Sequence, residues 1–163
     1  MPNNASRRKD AAASGIDGCL LIDVSVEEAE HYVAAMRTHG LDSVFLAAPT
    51  STDRRLELVA KYSSGFVYLV SRTGVTGDQS KVGAGAGELV RRMRGFTKLP
   101  LAVGFGISTP EQVAEVGAVA DGVVVGSALV RTIENYGASS ELEAEVERFT
   151  RGLAGGLVRG ASR

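Results

Sequence analysis

Sulfur and imidazole are scarce in this sequence. One cysteine, Cys19, excludes an internal disulfide. One cysteine and two histidines, His31 and His39, also fall short of the ligand set of a usual structural zinc site. Cys19 sits in the apolar run GCLLI and reads as a small buried residue, and both histidines fall in a helical segment as outer-face residues. No apolar run reaches the length of a membrane-spanning helix. The opening stretch, MPNNASRRKDAAASG, has no apolar centre and carries Asp10, so it does not read as a secretory signal. Charge of one sign is lacking too. A net charge of −1 and a pI near 6.1 argue against a nucleic-acid surface or a membrane-attracted patch. The densest basic run, Arg7-Arg8-Lys9, is followed at once by Asp10 and reads as a solvated leader. What these exclusions leave is a soluble, cytoplasmic protein whose 163 residues suffice for one domain with its own core.

Glycine, by contrast, is abundant, 20 of 163 residues, which points to many tight junctions between elements. The pattern alternates. GCLLID (18–23) is a continuous apolar run of strand length, and Ser25 then opens S-V-E-E, a capping box leading a helix that stops at Gly40. SVFLA (43–47) is the next strand, and Thr52 is a good N-cap for DRRLELVAKYSS (53–64). FVYLV (66–70) is the third strand. SRTGVTGDQSKVGAGAG (71–87) breaks the rhythm with five glycines and reads as a long mobile loop, a type that is usually functional inside a compact domain. ELVRRMRGF (88–96) is a helix, LPLAV (99–103) the fourth strand, and Thr109-Pro110 a helix start with proline in the first turn. DGVVV (121–125) is the fifth strand. A short helix follows Gly126, and a last helix closes the fold before the tail LVRGASR. Strands recur roughly every 22 to 34 residues, each followed by a helix, so the chain is a series of βα units with a parallel sheet. A doubly wound open sheet and a (β/α)8 barrel both fit this rhythm.

Two strands end in glycine. LAVGFGIS carries Gly104 and Gly106 around Phe105, and VVVGSALV carries Gly126 and Ser127. Glycine weakens a strand, so paired glycine ends ask for a reason. A phosphate group supplies one, because it needs backbone N–H donors at close approach, often from a helix N-terminus. The phosphate site of many (β/α)8 barrels is built this way, from the loops after strands 7 and 8 and a short extra helix. An open dinucleotide-binding sheet would carry G-x-G-x-x-G, but GFGIST has Thr109 where the third glycine would fall. If the last two strands are barrel strands 7 and 8, the first visible strand is strand 4. The expectation is then an incomplete TIM barrel of about five parallel strands, 4–8, over residues 11–157, with a leader at 1–10 and a frayed tail at 158–163.

FLAAPTSTDRR, GFVYLVSRTGVTG, LAVGFGISTPEQV and DGVVVGSALV, in this order and spacing, resemble the tryptophan synthase alpha chain. The resemblance runs from about residue 11 to 133. It implies cleavage of indole-3-glycerol phosphate to indole and glyceraldehyde 3-phosphate in tryptophan biosynthesis. It also implies an alpha2-beta2 heterotetramer with a beta chain that carries pyridoxal phosphate, the alpha chain itself having no cofactor. By resemblance, Gly104, Gly106, Gly126 and Ser127 hold the substrate phosphate, with Gly77 closing on it from the long loop. Phe105 forms part of the wall against the indole ring, and Tyr68 is a supporting polar group. Gly74 and Thr76 belong to a lid, which suits a reaction that must exclude water and retain indole. Asp23, at the end of the first strand, lies in a loop that communicates with the lid and the partner, or else simply braces that loop. Ser25 stands where the family usually has proline.

The resemblance also identifies what is missing. The family's catalytic glutamate is on strand 2 and its catalytic aspartate on the following loop, and neither strand corresponds to any part of these 163 residues. Each positioned acid or base is typically worth ~10²–10⁴ in rate, so the chain alone is expected to be inactive. Two other readings stay open: a different phosphate-binding barrel enzyme, such as an isomerase or aldolase relative, and a non-catalytic phosphate- or partner-binding half-barrel. Unpaired apolar edges near GCLLID and DGVVV favour self-association.

Overall fold

The structure is a computed structural model that describes residues 10–20, 22–71 and 82–160. Six strands follow one another as β1 (Gly18–Leu20), β2 (Asp42–Val44), β3 (Leu46–Ala47), β4 (Val67–Val70), β5 (Leu101–Gly104) and β6 (Gly122–Val124). Between and after them run α1 (Glu30–Arg37), α2 (Asp53–Tyr62), α3 (Val82–Arg94), α4 (Pro110–Gly117), α5 (Ser127–Tyr136) and α6 (Leu142–Gly160). β2 and β3 are one extended run interrupted at Phe45. It pairs with β1 through Asp42–Val44 and with β4 through Leu46–Ala47. All pairings are parallel and the order is sequential, β3-β4-β5-β6 with β1 beside β2. A doubly wound sheet reverses direction at a switch point, and no reversal occurs among the described strands. The consecutive order is that of a barrel wall.

Period-two alternation assigns the two faces of this wall. Val67, Leu69, Leu101 and Val103 are fully buried and meet the helices. Their partners there are Leu56 and Val59 of α2, Leu89 and Met93 of α3, and Val113 and Val116 of α4. Each such side chain contributes roughly 1.5–3 kcal/mol by leaving water. The intervening residues, Leu46, Tyr68, Ala102 and Gly122, stand in register across four strands on the opposite, inner face. Among the described residues, pairing leaves β1 and β6 with one neighbour each, the two edges expected from the sequence.

The caps show which local signals held. Thr52 accepts a hydrogen bond from the Arg55 N–H, and Thr109 forms a full capping box with Gln112, with Pro110 in the first turn. The box at Ser25 does not form. Its hydroxyl donates to Glu27, whose carboxylate also receives Arg55 at 2.8 Å, so Val26–Glu28 is a single 3₁₀ turn and α1 begins only at Glu30. A cap needs this oxygen to accept a backbone N–H, and no such bond forms; the hydroxyl is turned as a donor to the charged carboxylate two residues on. The first strand is also shorter than the apolar run. It ends at Leu20, and Ile22 is exposed. Cys19 is half-buried rather than buried, because β1 is an edge strand. α3 starts at Val82, so the end of the glycine-rich stretch is helical rather than loop. The last helix continues to Gly160, past the point where fraying was expected. Gly156 lets it approach α4 closely, since a Cβ there would strike the Pro110 carbonyl oxygen and lie 3.2 Å from Val113 Cβ.

Candidate functional site

A cavity of about 290 Å³ opens at the C-terminal ends of β4, β5 and β6. Its lining is Tyr68, Phe105, Gly106, Ile107, Val124, Gly126, Ser127, Ala128 and Arg131. Five residues singled out from sequence therefore converge here: Tyr68 from β4, Phe105 and Gly106 from the loop after β5, and Gly126 and Ser127 at the start of α5.

Each arrives for a local reason. Phe105 and Gly106 have φ of 90° and 80°, so the chain turns through two successive left-handed residues directly after β5. Ser71, buried at the end of β4, fixes this turn. Its N–H donates to the Gly104 carbonyl at 2.9 Å and its hydroxyl to the Phe105 carbonyl at 2.8 Å. Phe105 is thereby held at the mouth with 58 % of its surface exposed. Gly126 is the N-cap of α5 and supplies no side-chain cap, which leaves the first-turn N–H groups to the cavity. A Cβ on Gly126 would meet nothing within 4 Å, so the glycine keeps the helix end open rather than relieving a clash.

Gly104 works differently from Gly106 and Gly126. It is buried and is not part of the lining. A Cβ there would strike the Tyr68 hydroxyl and lie 2.9 Å from both Tyr68 Cζ and Val124 Cβ. Its role is to let the tyrosine lie across β5. Burial pushes the Tyr68 phenol above its ordinary range, so at neutral pH it is a neutral O–H donor.

The remaining candidates are elsewhere. Asp23 is exposed in the irregular segment after β1 and is not in the lining. Gly74, Thr76 and Gly77 lie outside the described residues. Sequence inspection missed Arg131 and Ser71. Arg131 follows Ser127 by four residues, hence one turn along the same helix face, and that spacing was the available signal. Ser71 carried none, since its role depends on a partner 34 residues away. A second cavity, about 230 Å³, lies behind β6 and is lined by Val113, Val123, Leu129, Phe149, Leu153 and Leu157 among others. It lacks the convergent polar groups that orient a ligand. Among the described residues no cluster of His, Cys, Asp or Glu could hold a metal ion, and no helix is long and apolar enough to cross a membrane.

Parallel strands in consecutive order, helices on one face and a glycine-lined cup at the C-terminal ends define the (β/α)-barrel class of α/β protein. Within that class, the family model for the tryptophan synthase alpha chain matches residues 5–156, and the chain belongs to that family. The alpha chain of Solibacter usitatus is 65 % identical over 148 residues, covering 91 % of this chain and 55 % of that protein. Among solved structures, the tryptophan synthase complex of Pyrococcus furiosus superposes with a TM-score of 0.82 at 38 % identity, over 93 % of this chain and 60 % of that one. A tryptophan synthase structure from Mycobacterium tuberculosis gives 0.82 at 37 %, over 95 % and 57 %. The chain thus spans little more than half the length of its relatives.

Proposed function

We propose that this chain provides the phosphate-binding part of a tryptophan synthase alpha subunit, which cleaves indole-3-glycerol phosphate to indole and glyceraldehyde 3-phosphate in the cytoplasm. The observation that carries the reading is the convergence of Gly106, Gly126 and Ser127 on one cavity at the C-terminal strand ends, within a chain of this family. In this reading the backbone N–H groups of the cup and the Ser127 hydroxyl receive the phosphate. Gly104 shapes the strand end beneath it, and Gly77, with the Gly74–Thr76 lid, closes from the segment after β4. Phe105 walls the indole ring, and the neutral Tyr68 phenol donates a hydrogen bond to the glycerol chain. The partner is a beta chain in an alpha2-beta2 assembly, the assembly named for the Pyrococcus furiosus complex. Pyridoxal phosphate belongs to that partner, and the alpha part works by acid–base chemistry.

Retro-aldol cleavage needs an acid to protonate the indole ring carbon and a base to take the hydroxyl and ring N–H protons. Among the described residues no carboxylate lines the cavity. In this reading the described residues bind the substrate's phosphate end and supply no carboxylate acid or base for its turnover. The same observation favours a second reading, a phosphate-binding half-barrel with no catalytic role. Joining the chain to the first three βα units of the Solibacter usitatus relative separates the two. Indole release by the joined protein supports the enzyme reading. Phosphate-ester binding with no release supports the module. Loss of phosphate-ester binding in both proteins contradicts both readings.

A further inference from the structure

We propose that Arg131 is the cation of this cup, pairing with the phosphate dianion of the bound ester. The inference rests on the phosphate-binding reading above and adds a residue to it. Backbone N–H groups and a helix end offer a dianion only about half a positive charge. A cup built from glycine, serine and a neutral phenol therefore leaves most of the ligand's charge uncompensated. Arg131 is the one charged side chain in the described lining.

Its position suits the task. Arg131 stands four residues after Ser127, and helical side chains lean toward the N-terminus, so its stem lies over the first turn of α5, where the N–H groups open. It is also uncommitted. Arg55, Arg91, Arg92, Arg94, Arg148 and Arg151 each hold a carboxylate, whereas among the described residues no carboxylate is within ion-pair distance of Arg131. An arginine that lines a cavity without a carboxylate partner is available to an anion entering it. Its planar fork also matches phosphate oxygens better than a point charge does.

The test is calorimetric titration of the full chain with glycerol 3-phosphate and, separately, with inorganic phosphate, at fixed ionic strength. Arg131→Gln is expected to weaken both about fivefold, the scale of a solvent-exposed ion pair, and to flatten the salt dependence of binding. Arg131→Lys is expected to keep most of the affinity. Because Arg131 is exposed and has no ion-pair partner among the described residues, far-UV circular dichroism and the melting transition are expected to be unchanged in both variants. Wild-type chain that binds neither probe contradicts the phosphate-binding reading itself. Wild-type binding that persists unaltered in Arg131→Gln overturns the assignment alone. So does a loss as large in Arg131→Lys as in Arg131→Gln, since retained charge would then count for nothing.

Discussion

The phenol of Tyr68 on β4 lies across Gly104 of β5, in the space a side chain at that position would occupy. The two are diagonal neighbours on the inner face, since Tyr68 is in register with Ala102 and Gly104 with Val70. The strand end is thus shaped by one missing methyl group, with Val124 of β6 closing the other side. Gly104→Ala is expected to destabilise the fold by about 1–3 kcal/mol through overpacking. In that background Tyr68→Leu is expected to recover part of the loss, because it removes the phenol ring that the new methyl strikes. Urea denaturation of the two single variants and the double variant measures the coupling. Purely additive effects would show that the residues do not press on each other.

Phe105 presents the opposite case, a side chain kept where glycine would be more comfortable. Its φ of 90° carries strain on the order of 1–3 kcal/mol, and its exposed ring recovers little by burial. Phe105→Gly is expected to be at least about 1 kcal/mol more stable than Phe105→Ala, which keeps the strain and also loses the ring. Both are expected to weaken binding of indole-bearing ligands relative to glycerol 3-phosphate. Equal stability of the two variants would place the strain elsewhere.

Asp121 ties the far end of the same strands. It accepts the Leu101 N–H at 2.7 Å and holds Arg94. Burial raises its carboxyl, but the hydrogen bonds from Arg94 and Leu101 and the Arg94 charge outweigh that, and the net shift is downward. A lowered folded-state value means the unfolded chain binds the proton more readily. The contribution is therefore complete above the ordinary aspartate value, about 3.9, and is lost as pH falls through the lower folded value. Asp121→Asn is expected to flatten the acid limb of the stability–pH curve by less than about 1 kcal/mol, the pair being largely solvated. Superimposable acid limbs would contradict it.

How far the fold was legible depended on whether the deciding contacts were local. Thr52 and Thr109 cap as their sequence contexts imply, since each needs only residues three positions away. Ser25 had a local cap signature and failed: its hydroxyl donates to Glu27, which Arg55 of α2 holds, and it accepts no backbone N–H. The apolar run 18–23 overstated β1, because apolar character does not reveal that a strand has a neighbour on one side only. At the site, the glycine ends pointed to the cavity, but Gly104 could not be told from Gly106 without knowing that Tyr68 crosses it. Arg131 was within reach of the helical spacing. Ser71 was not, because its hydrogen bonds cross from β4 to β5.

The central claim is that the ends of β5 and β6 form a phosphate cup that these 163 residues already possess. Its most direct test is an amide NMR titration of the chain with glycerol 3-phosphate. Saturable shifts concentrated at Gly106, Gly126, Ser127 and Ala128 are the predicted result. Absence of saturable shifts, or shifts gathered instead around the apolar cavity near Phe149 and Leu153, would contradict it.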